Sequence, residues 1–437
     1  MVREALGQQS SKMEVLLQSG ERPTRSKLFM QEAGERIGLN KETIDELINP
    51  QQVIILRLPV KFWGRVLVVW ACLSLHNNAR GPYKGGIRIA PDVTVWETIE
   101  LSRLMTLKAA INDIEFGGGK SGVRVSLPDV YNYFNKTERD LEFEEALSLD
   151  ICEELAHQAR QYLVDCTYIP APDMGTGPEE MVFIYNQTLN PASVTGKPDG
   201  IHGWLPGRRE STGYGCCHTT LRFMKDILGL TPSKSTIAIQ GFGNVGSHLA
   251  IFLAEKGVKV IGVTDLGGGT FDEKGLDVPA LARYVKEKRT VAGFTPKSIT
   301  NEDLFSLEVD VLIPAACGHV LTGENAHLVR AGGIVEAANA PITADAMDIF
   351  EKKQVKVIPD IIANAGGLIA SMEEYSRSLS AIKIEKSDVF RIIRNKIDQS
   401  LDITFQKSEE AKITYAEASI QIAMGKVYDA MRKRRHI

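Results

Sequence analysis

Thr236-Ile237-Ala238-Ile239-Gln240-Gly241-Phe242-Gly243-Asn244-Val245-Gly246 is a β-rich run that ends in a G-x-G-x-x-G turn. It leads into Val245, Leu249, Phe252 and Leu253, which fall on one helical face. A second β-rich run, Lys259 to Val263, follows and closes on Asp265. Strand, glycine turn, helix and a second strand ending in an acid make the context of a dinucleotide-binding βαβ unit. Gly241 permits the tight turn, Gly243 lets a pyrophosphate approach the backbone, and Gly246 allows helix to pack on strand. The helix start presents oriented N–H groups to phosphates. Gly241, Phe242, Gly243, Asn244, Val245 and Gly246 are therefore candidate cofactor residues. Asp265 joins them as the acceptor for ribose hydroxyls. Asp265 would repel a 2′-phosphate, and Leu266 with Gly267 to Gly269 offers neither hydroxyl nor positive charge to hold one. This favours NAD and leaves NADP open.

Working outward, Val309 to Ile313, Gly333 to Ala337 and Val355 to Ile358 are further short β-rich runs with helix-length spacers. Alternating strands and helices argue for a parallel sheet covered on both faces. The texture changes near Arg208. After Gly367 the chain reads as helical to its end, with Val389, Ile392, Ile393 and Ile397 at helical spacing. Before the change, residues up to about 50 read as polar helices. Val53 to Leu56 and Arg65 to Trp70 fit strands of one sheet, and Thr94 to Asn112 fits a helix. Ser126 to Glu145 is charged and aromatic without clear period, and reads as an irregular connection. The fold class expected is α/β in two domains, one of them Rossmann-type.

Three lysines stand out in the first half: Lys84 in Gly81-Pro82-Tyr83-Lys84-Gly85-Gly86, Lys108 in Leu104-Met105-Thr106-Leu107-Lys108, and Lys120 in Gly117-Gly118-Gly119-Lys120. Lys84 reads as part of a tight glycine turn, Lys108 as late on a helix, and Lys120 as on the loop after it. Two of the three sit against glycines, where backbone can approach a small ligand closely. Together they suggest a pocket for something small and doubly anionic. Crowding and burial would depress at least one lysine pKa, because both disfavour the ammonium. The bland alternative is three solvated surface lysines.

Bulk properties narrow the classes. A chain of 437 residues, 43% hydrophobic and 24% charged, has the material for two globular cores. A formal charge of −4 does not suggest nucleic acid or a membrane surface as partner. Val66 to Leu75 is too short to span a bilayer. The N-terminus mixes charges and lacks an apolar h-region, so no signal peptide is expected. The six cysteines show no C-x-x-C pair and read as reduced thiols of a cytoplasmic protein. The histidines form no H-E-x-x-H pattern, and no metal is expected.

With these residues assembled, the chain resembles the glutamate dehydrogenase branch of the Glu/Leu/Phe/Val amino-acid dehydrogenase family, from about residue 25 to the C-terminus. The resemblance is carried by Gly81 to Arg88, Met105 to Lys108, Gly117 to Lys120, Pro170-Ala171-Pro172-Asp173-Met174-Gly175-Thr176, Arg208 to Gly215, Gly241 to Gly246 and Asn364-Ala365-Gly366-Gly367. It implies a substrate-binding and oligomerisation domain from residues 1–205 and 366–437, a Rossmann domain at 206–365, and an active site in the cleft. Lys120 is then the catalytic lysine and Asp173 its proton-transfer partner. Lys108 binds the α-carboxylate, and Lys84 with Ser371 holds the side-chain carboxylate. Thr212 contacts the nicotinamide amide, and Asn339 and Asn364 are cofactor or substrate contacts. The implied reaction is reversible oxidative deamination of L-glutamate to 2-oxoglutarate and ammonium, by a homohexamer. Another amino acid, or a regulatory nucleotide-binding role without catalysis, are the competing readings. The chain departs from the family pattern at Leu75 before His76-Asn77, at Ser121, at Arg209, at Cys317-Gly318-His319 and in the region from Ser126 to Glu145. The cysteine-containing change lies near the expected cofactor pocket.

Overall fold

The computed structural model describes residues 24–437. The polar N-terminal stretch expected to be helical falls partly outside them. Its described part forms α1 (Arg25–Arg36) and α2 (Lys41–Ile48), N-capped by Thr24 and Asn40.

The first sheet contains β1 (Gln52–Phe62), β2 (Arg65–Asn77), β3 (Tyr83–Ala90), β4 (Gly117–Arg124) and β5 (Tyr168–Pro172) in the order β1-β2-β4-β3-β5. β1, β2 and β4 pair antiparallel, whereas β3 runs parallel to β4 and β5. Helix α3 (Val95–Ile111), N-capped by Thr94, lies across β4 and β2. Lys84 and Lys120 are thus on strands, not on the turn and loop that their glycines suggested. The glycines serve close packing instead. A β-carbon at Gly118 would collide with Ser102 O and Thr106 on α3, and one at Gly122 with Thr98. Bare backbone lets the helix settle directly onto the strand.

The segment from Ser126 to Glu145 is ordered, contrary to expectation. It forms α4 (Leu127–Tyr133), capped by Ser126, and the start of α5 (Leu141–Gln158), capped by Asp140. Its aromatic residues pack on the β1–β2 hairpin, with Phe62 and Phe143 edge to face at 4.8 Å. That packing, rather than a helical repeat of apolar residues, decides the local structure. Helix α6 (Pro178–Thr188) then completes this layer against α5.

After α7 (Ser211–Asp226), the second sheet is built from β6 (Thr236–Gln240), β7 (Lys259–Asp265), β8 (Gly268–Phe271), β9 (Ser298–Ile299), β10 (Val311–Pro314), β11 (Gly333–Val335) and β12 (Lys356–Ile358). Its order is β12-β11-β10-β6-β7-β8-β9. The first five strands are parallel, as the alternating pattern requires, and β8 and β9 add an antiparallel edge that the sequence reading lacks. Helix α8 (Asn244–Glu255) follows β6, α9 (Val278–Lys288) follows β8, and α10 (Ala344–Lys352) precedes β12.

The chain ends in α11 (Asp360–Ala363), α12 (Gly366–Ser376), α13 (Lys386–Ala411) and α14 (Tyr415–Lys433). Helices α12 and α13 pack on α7, while α14 returns to α3 and α1. Leu107, Ile111, Ile361, Ile369, Ile393 and Ile397 belong to one continuous buried cluster. The two sheets are therefore joined through α3, α7 and the last helices. Among the described residues, no helix is long and apolar enough to cross a membrane.

Candidate active site

The three lysines are among the most buried charged groups of the chain: Lys84 is 1% exposed, Lys108 5% and Lys120 3%. Burial on this scale rules out the solvated-surface reading. Lys120 is two residues from Gly118 on β4, so both share the face covered by α3. Lys84 sits on the neighbouring β3, in register with Gly118, and Lys108 on the last turn of α3. Asp173 follows β5 directly, and Lys120 donates to its carboxylate. Burial by itself would raise the Asp173 carboxyl. The Lys120 ammonium, the Met174 N–H at 2.6 Å and the Arg88 charge together hold it below the usual carboxylate range.

Lys84 Nζ donates to Pro170 O at 3.5 Å, and the charges of Arg208, Glu374 and Lys197 act on it. Ser371 on α12 accepts from Thr195 Oγ1 at 3.2 Å. One turn along α12, the buried Glu374 pairs with Lys197 at 2.9 Å, and both side chains are fully buried. Glu374 also accepts the Gly196 N–H at 2.7 Å, and Arg208 Nε lies 3.9 Å from it. Burial, then the positive charge of Arg208, pushes the Lys84 ammonium well below the ordinary lysine range, and Glu374 opposes this only in part. Cations outnumber the single carboxylate here, as they would around the docking place of an anion.

At the other end, Lys108 Nζ donates to Asn339 Oδ1 at 2.9 Å, and Asn364 Nδ2 donates to the same oxygen at 3.1 Å. Burial lowers the Lys108 pKa, with the Asp360 charge opposing and Lys120 adding. Asn339 follows β11 and Asn364 follows α11, so this contact joins the two sheets' territories.

The glycine turn fits a bound dinucleotide. Gly241 adopts φ +97°, a β-carbon at Gly246 would collide with Gly241 O, and Gly243 faces open space. No side chain caps α8, and its first hydrogen bond is from Ser247 N–H to Gly243 O, 3.0 Å. The N–H groups of Asn244, Val245 and Gly246 precede that bond and carry the positive end of the helix dipole. Gln240 Oε1 and Asn364 Oδ1 are buried acceptors without a partner. Phe242 is buried beside the turn, and Ala315 and Ala316 of the Cys317 segment crowd Gly241. The Asp265 carboxylate at the end of β7 accepts from Gly267 N–H, Thr290 Oγ1 and Val291 N–H at 2.7–2.8 Å. Thr212, near the start of α7, lies against Gly367 at the start of α12, the helix that carries Ser371.

Two family models match the chain. "Glu/Leu/Phe/Val dehydrogenase, dimerisation domain" covers residues 50–190, and "Glutamate/Leucine/Phenylalanine/Valine dehydrogenase" covers residues 203–435. The chain belongs to the Glu/Leu/Phe/Val dehydrogenase family. Among members, it is 34% identical to the NADP-specific glutamate dehydrogenase of Saccharolobus shibatae, over 94% of this chain and 97% of that one. It is 31% identical to the NAD-specific glutamate dehydrogenase A of Halobacterium salinarum, over 91% and 90%. A solved family structure, the hetero-hexameric glutamate dehydrogenase from Thermus thermophilus in its Leu-bound form, superposes with a TM-score of 0.84 at 26% identity. It covers 95% of this chain and 99% of its own.

Thr195, Lys197, Arg208 and Glu374 are absent from the sequence-derived site of this family member, although the fold gathers them around Ser371 and its helix. Glu374 carries a readable signal, since it stands three residues after Ser371 and so shares its helical face. Thr195 and Lys197 carry none, because the loop before α7 has no periodicity. The glycine turn with Asp265, and the lysine cluster with Asp173, lie on different sheets. Asn339, Asn364 and Thr212 occupy the region between them.

Proposed function

We propose that this chain catalyses the reversible oxidative deamination of L-glutamate to 2-oxoglutarate and ammonia with NAD or NADP. The observation that carries this reading is the pair of buried cationic ends, Lys84 among the charges of Arg208, Lys197 and Glu374, and Lys108 on Asn339, together with the paired Lys120 and Asp173. One end takes the side-chain carboxylate and the other the α-carboxylate. Thr195 and Arg208 reinforce the first end. An ammonium and hydroxyls left unpaired in a dry pocket would reject leucine or phenylalanine strongly.

The glycine turn, Asp265, Thr212 and Asn364 would hold the dinucleotide, which when bound supplies a hydride acceptor at its nicotinamide. Docking at both ends fixes the substrate Cα–H, and this positioning is a large part of catalysis. Loss of a proton from nitrogen to solvent and of hydride from Cα leaves the substrate iminium. Lys120, as the free amine, accepts a proton from the water that adds to the iminium carbon. Asp173 carries the carbinolamine's hydroxyl proton to the nitrogen, and the C–N bond breaks to give 2-oxoglutarate and ammonia. Cleft closure between the sheets excludes other water.

Asp265, held by three protein donors, favours NAD over the more anionic NADP. We read the assembly as a hexamer of identical chains; the hetero-hexameric family structure supports the hexamer and not the identity of its chains. We read the compartment as cytoplasmic, in line with six free cysteines. Initial rates with L-glutamate, leucine and phenylalanine, each with NAD and with NADP, test the reading. Turnover confined to glutamate supports it. Preference for an apolar amino acid, or no turnover in folded protein, would overturn it.

A further inference from the structure

The N-terminal segment is tied to the active site by a closed ring of polar contacts. Thr24 and Ser26 donate to one oxygen of Glu100 on α3, at 2.5 and 2.7 Å, and Arg103 pairs with the same oxygen at 2.6 Å. Arg25, between them, reaches the other way. Its guanidinium pairs with Glu336, which follows β11, and donates to Ile342 O at 3.0 Å. Glu336, whose side chain is fully buried, also accepts the Asp360 N–H at 3.0 Å. The Asp360 carboxylate accepts the Ala340 N–H at 2.8 Å. Asn339, the preceding residue, accepts from Lys108. Lys108 is on α3, about two turns beyond Glu100. The contacts leave α3 at one residue and return to it at another, through the nucleotide-binding sheet.

Two features bear on how the loop is held. Ala340 holds φ +44°, a left-handed conformation that an alanine keeps only where its surroundings fix it. A cavity lined by Arg25, Ser26, Glu100, Leu104, Ala340 and Asp360 separates α1 from the loop. The polar links of Arg25 and Asp360 bridge α1 and the loop beside this cavity.

We propose that Arg25 and Glu336 are positioning residues that fix the loop of residues 338–340 and, through Asn339, the place of Lys108 against the substrate's α-carboxylate. This rests on the role given to Lys108 above. Neither residue touches substrate, so their loss acts on substrate binding more than on the chemical step.

The test combines hydrogen–deuterium exchange over the peptide of residues 336–343 with steady-state kinetics on glutamate. It uses Arg25→Met, Arg25→Lys, Glu336→Gln and each paired with Asn339→Ala. Arg25→Met should speed exchange of that peptide and raise KM for glutamate about ten-fold with kcat little changed. Arg25→Lys should recover part of both effects. In the Asn339→Ala background Arg25→Met should add little, because both act on one element. Unchanged exchange, faster exchange with unchanged KM, or additive effects would each overturn the proposal. If Arg25→Met does not fold, Glu336→Gln, which keeps the side chain's size and removes its charge, carries the same measurements. Wild-type protein inactive on glutamate would sink the proposed function alone. The exchange result then decides the ring, faster exchange in Glu336→Gln supporting it and unchanged exchange overturning it.

Discussion

The Asp173 side chain lies over the bare backbone of Gly86, where an added β-carbon would stand 2.6 Å from Asp173 Cβ. The space that a missing methyl leaves on β3 is what lets Asp173 meet Lys120. Gly86→Ala should therefore push the acid off its partner while leaving Lys84, Lys108 and Ser371 in place. General acid–base groups of this kind contribute roughly 10²–10⁴-fold to turnover. Lys120→Ala and Asp173→Asn are expected to lower kcat within that range, and Gly86→Ala to lower kcat with a much smaller change in KM. Initial rates on the three variants check this. Near-normal kcat in Gly86→Ala would show that the contact with Lys120 is not needed for turnover.

Lys84 gives a prediction about stability without ligand. Burial and the Arg208 charge hold its pKa far below the ordinary 10.5. Between that lowered value and pH 10.5 the unfolded chain carries a proton that the folded chain has released. Unfolding then takes up a proton, so this group makes stability rise with pH across the window. Lys84→Met removes both the buried ammonium and the slope. The variant should be more stable at neutral pH and less pH-dependent above it, while losing glutamate turnover. Urea midpoints at several pH values on both proteins give the comparison. Parallel curves would mean that Lys84 does not titrate abnormally.

The run from Gly117 to Lys120 shows how far sequence alone reaches. The dinucleotide turn is legible because strand, turn, helix and acid are contiguous, and each carries its own local signal. The glycines before Lys120 are ambiguous, since the same residues serve a turn or a strand that a helix presses upon. Only α3, placed by contacts far along the chain, decides between them. Thr195 and Ser371 stand 176 positions apart, and their meeting depends on the return of the last helices. The family resemblance, not the local pattern, points to Ser371. Gly118→Ala tests the packing reading. Its β-carbon would collide with Ser102 O and Thr106, so α3 must lift from β4, at a cost of about 1–3 kcal/mol. Lys108 moves with α3 and Lys120 stays with β4, so KM for glutamate should rise together with the loss of stability. A wild-type urea midpoint in Gly118→Ala would refute the close packing.

His76, in one of the stretches where the chain departs from its family's pattern, is fully buried on β2. Its Nε2 lies 3.0 Å from Ile48 O and its Nδ1 2.8 Å from Thr106 Oγ1. A carbonyl can only accept, so the ring proton is on Nε2 and Nδ1 accepts from the hydroxyl. Burial, then the charge of Arg103, pushes the pKa down to about 3, from 6.5 in the unfolded chain. Between these values the unfolded chain binds a proton that the folded chain refuses, so stability falls as pH falls from 6.5 toward 3. The loss from this group is about 1.4 kcal/mol for each pH unit. His76→Gln does not titrate and keeps a donor and an acceptor on the side chain. Urea midpoints from pH 7 to about pH 4 should therefore decline more steeply for the wild type than for His76→Gln. Parallel declines would show that His76 takes up its proton without unfolding, and that the acid sensitivity of the fold arises elsewhere.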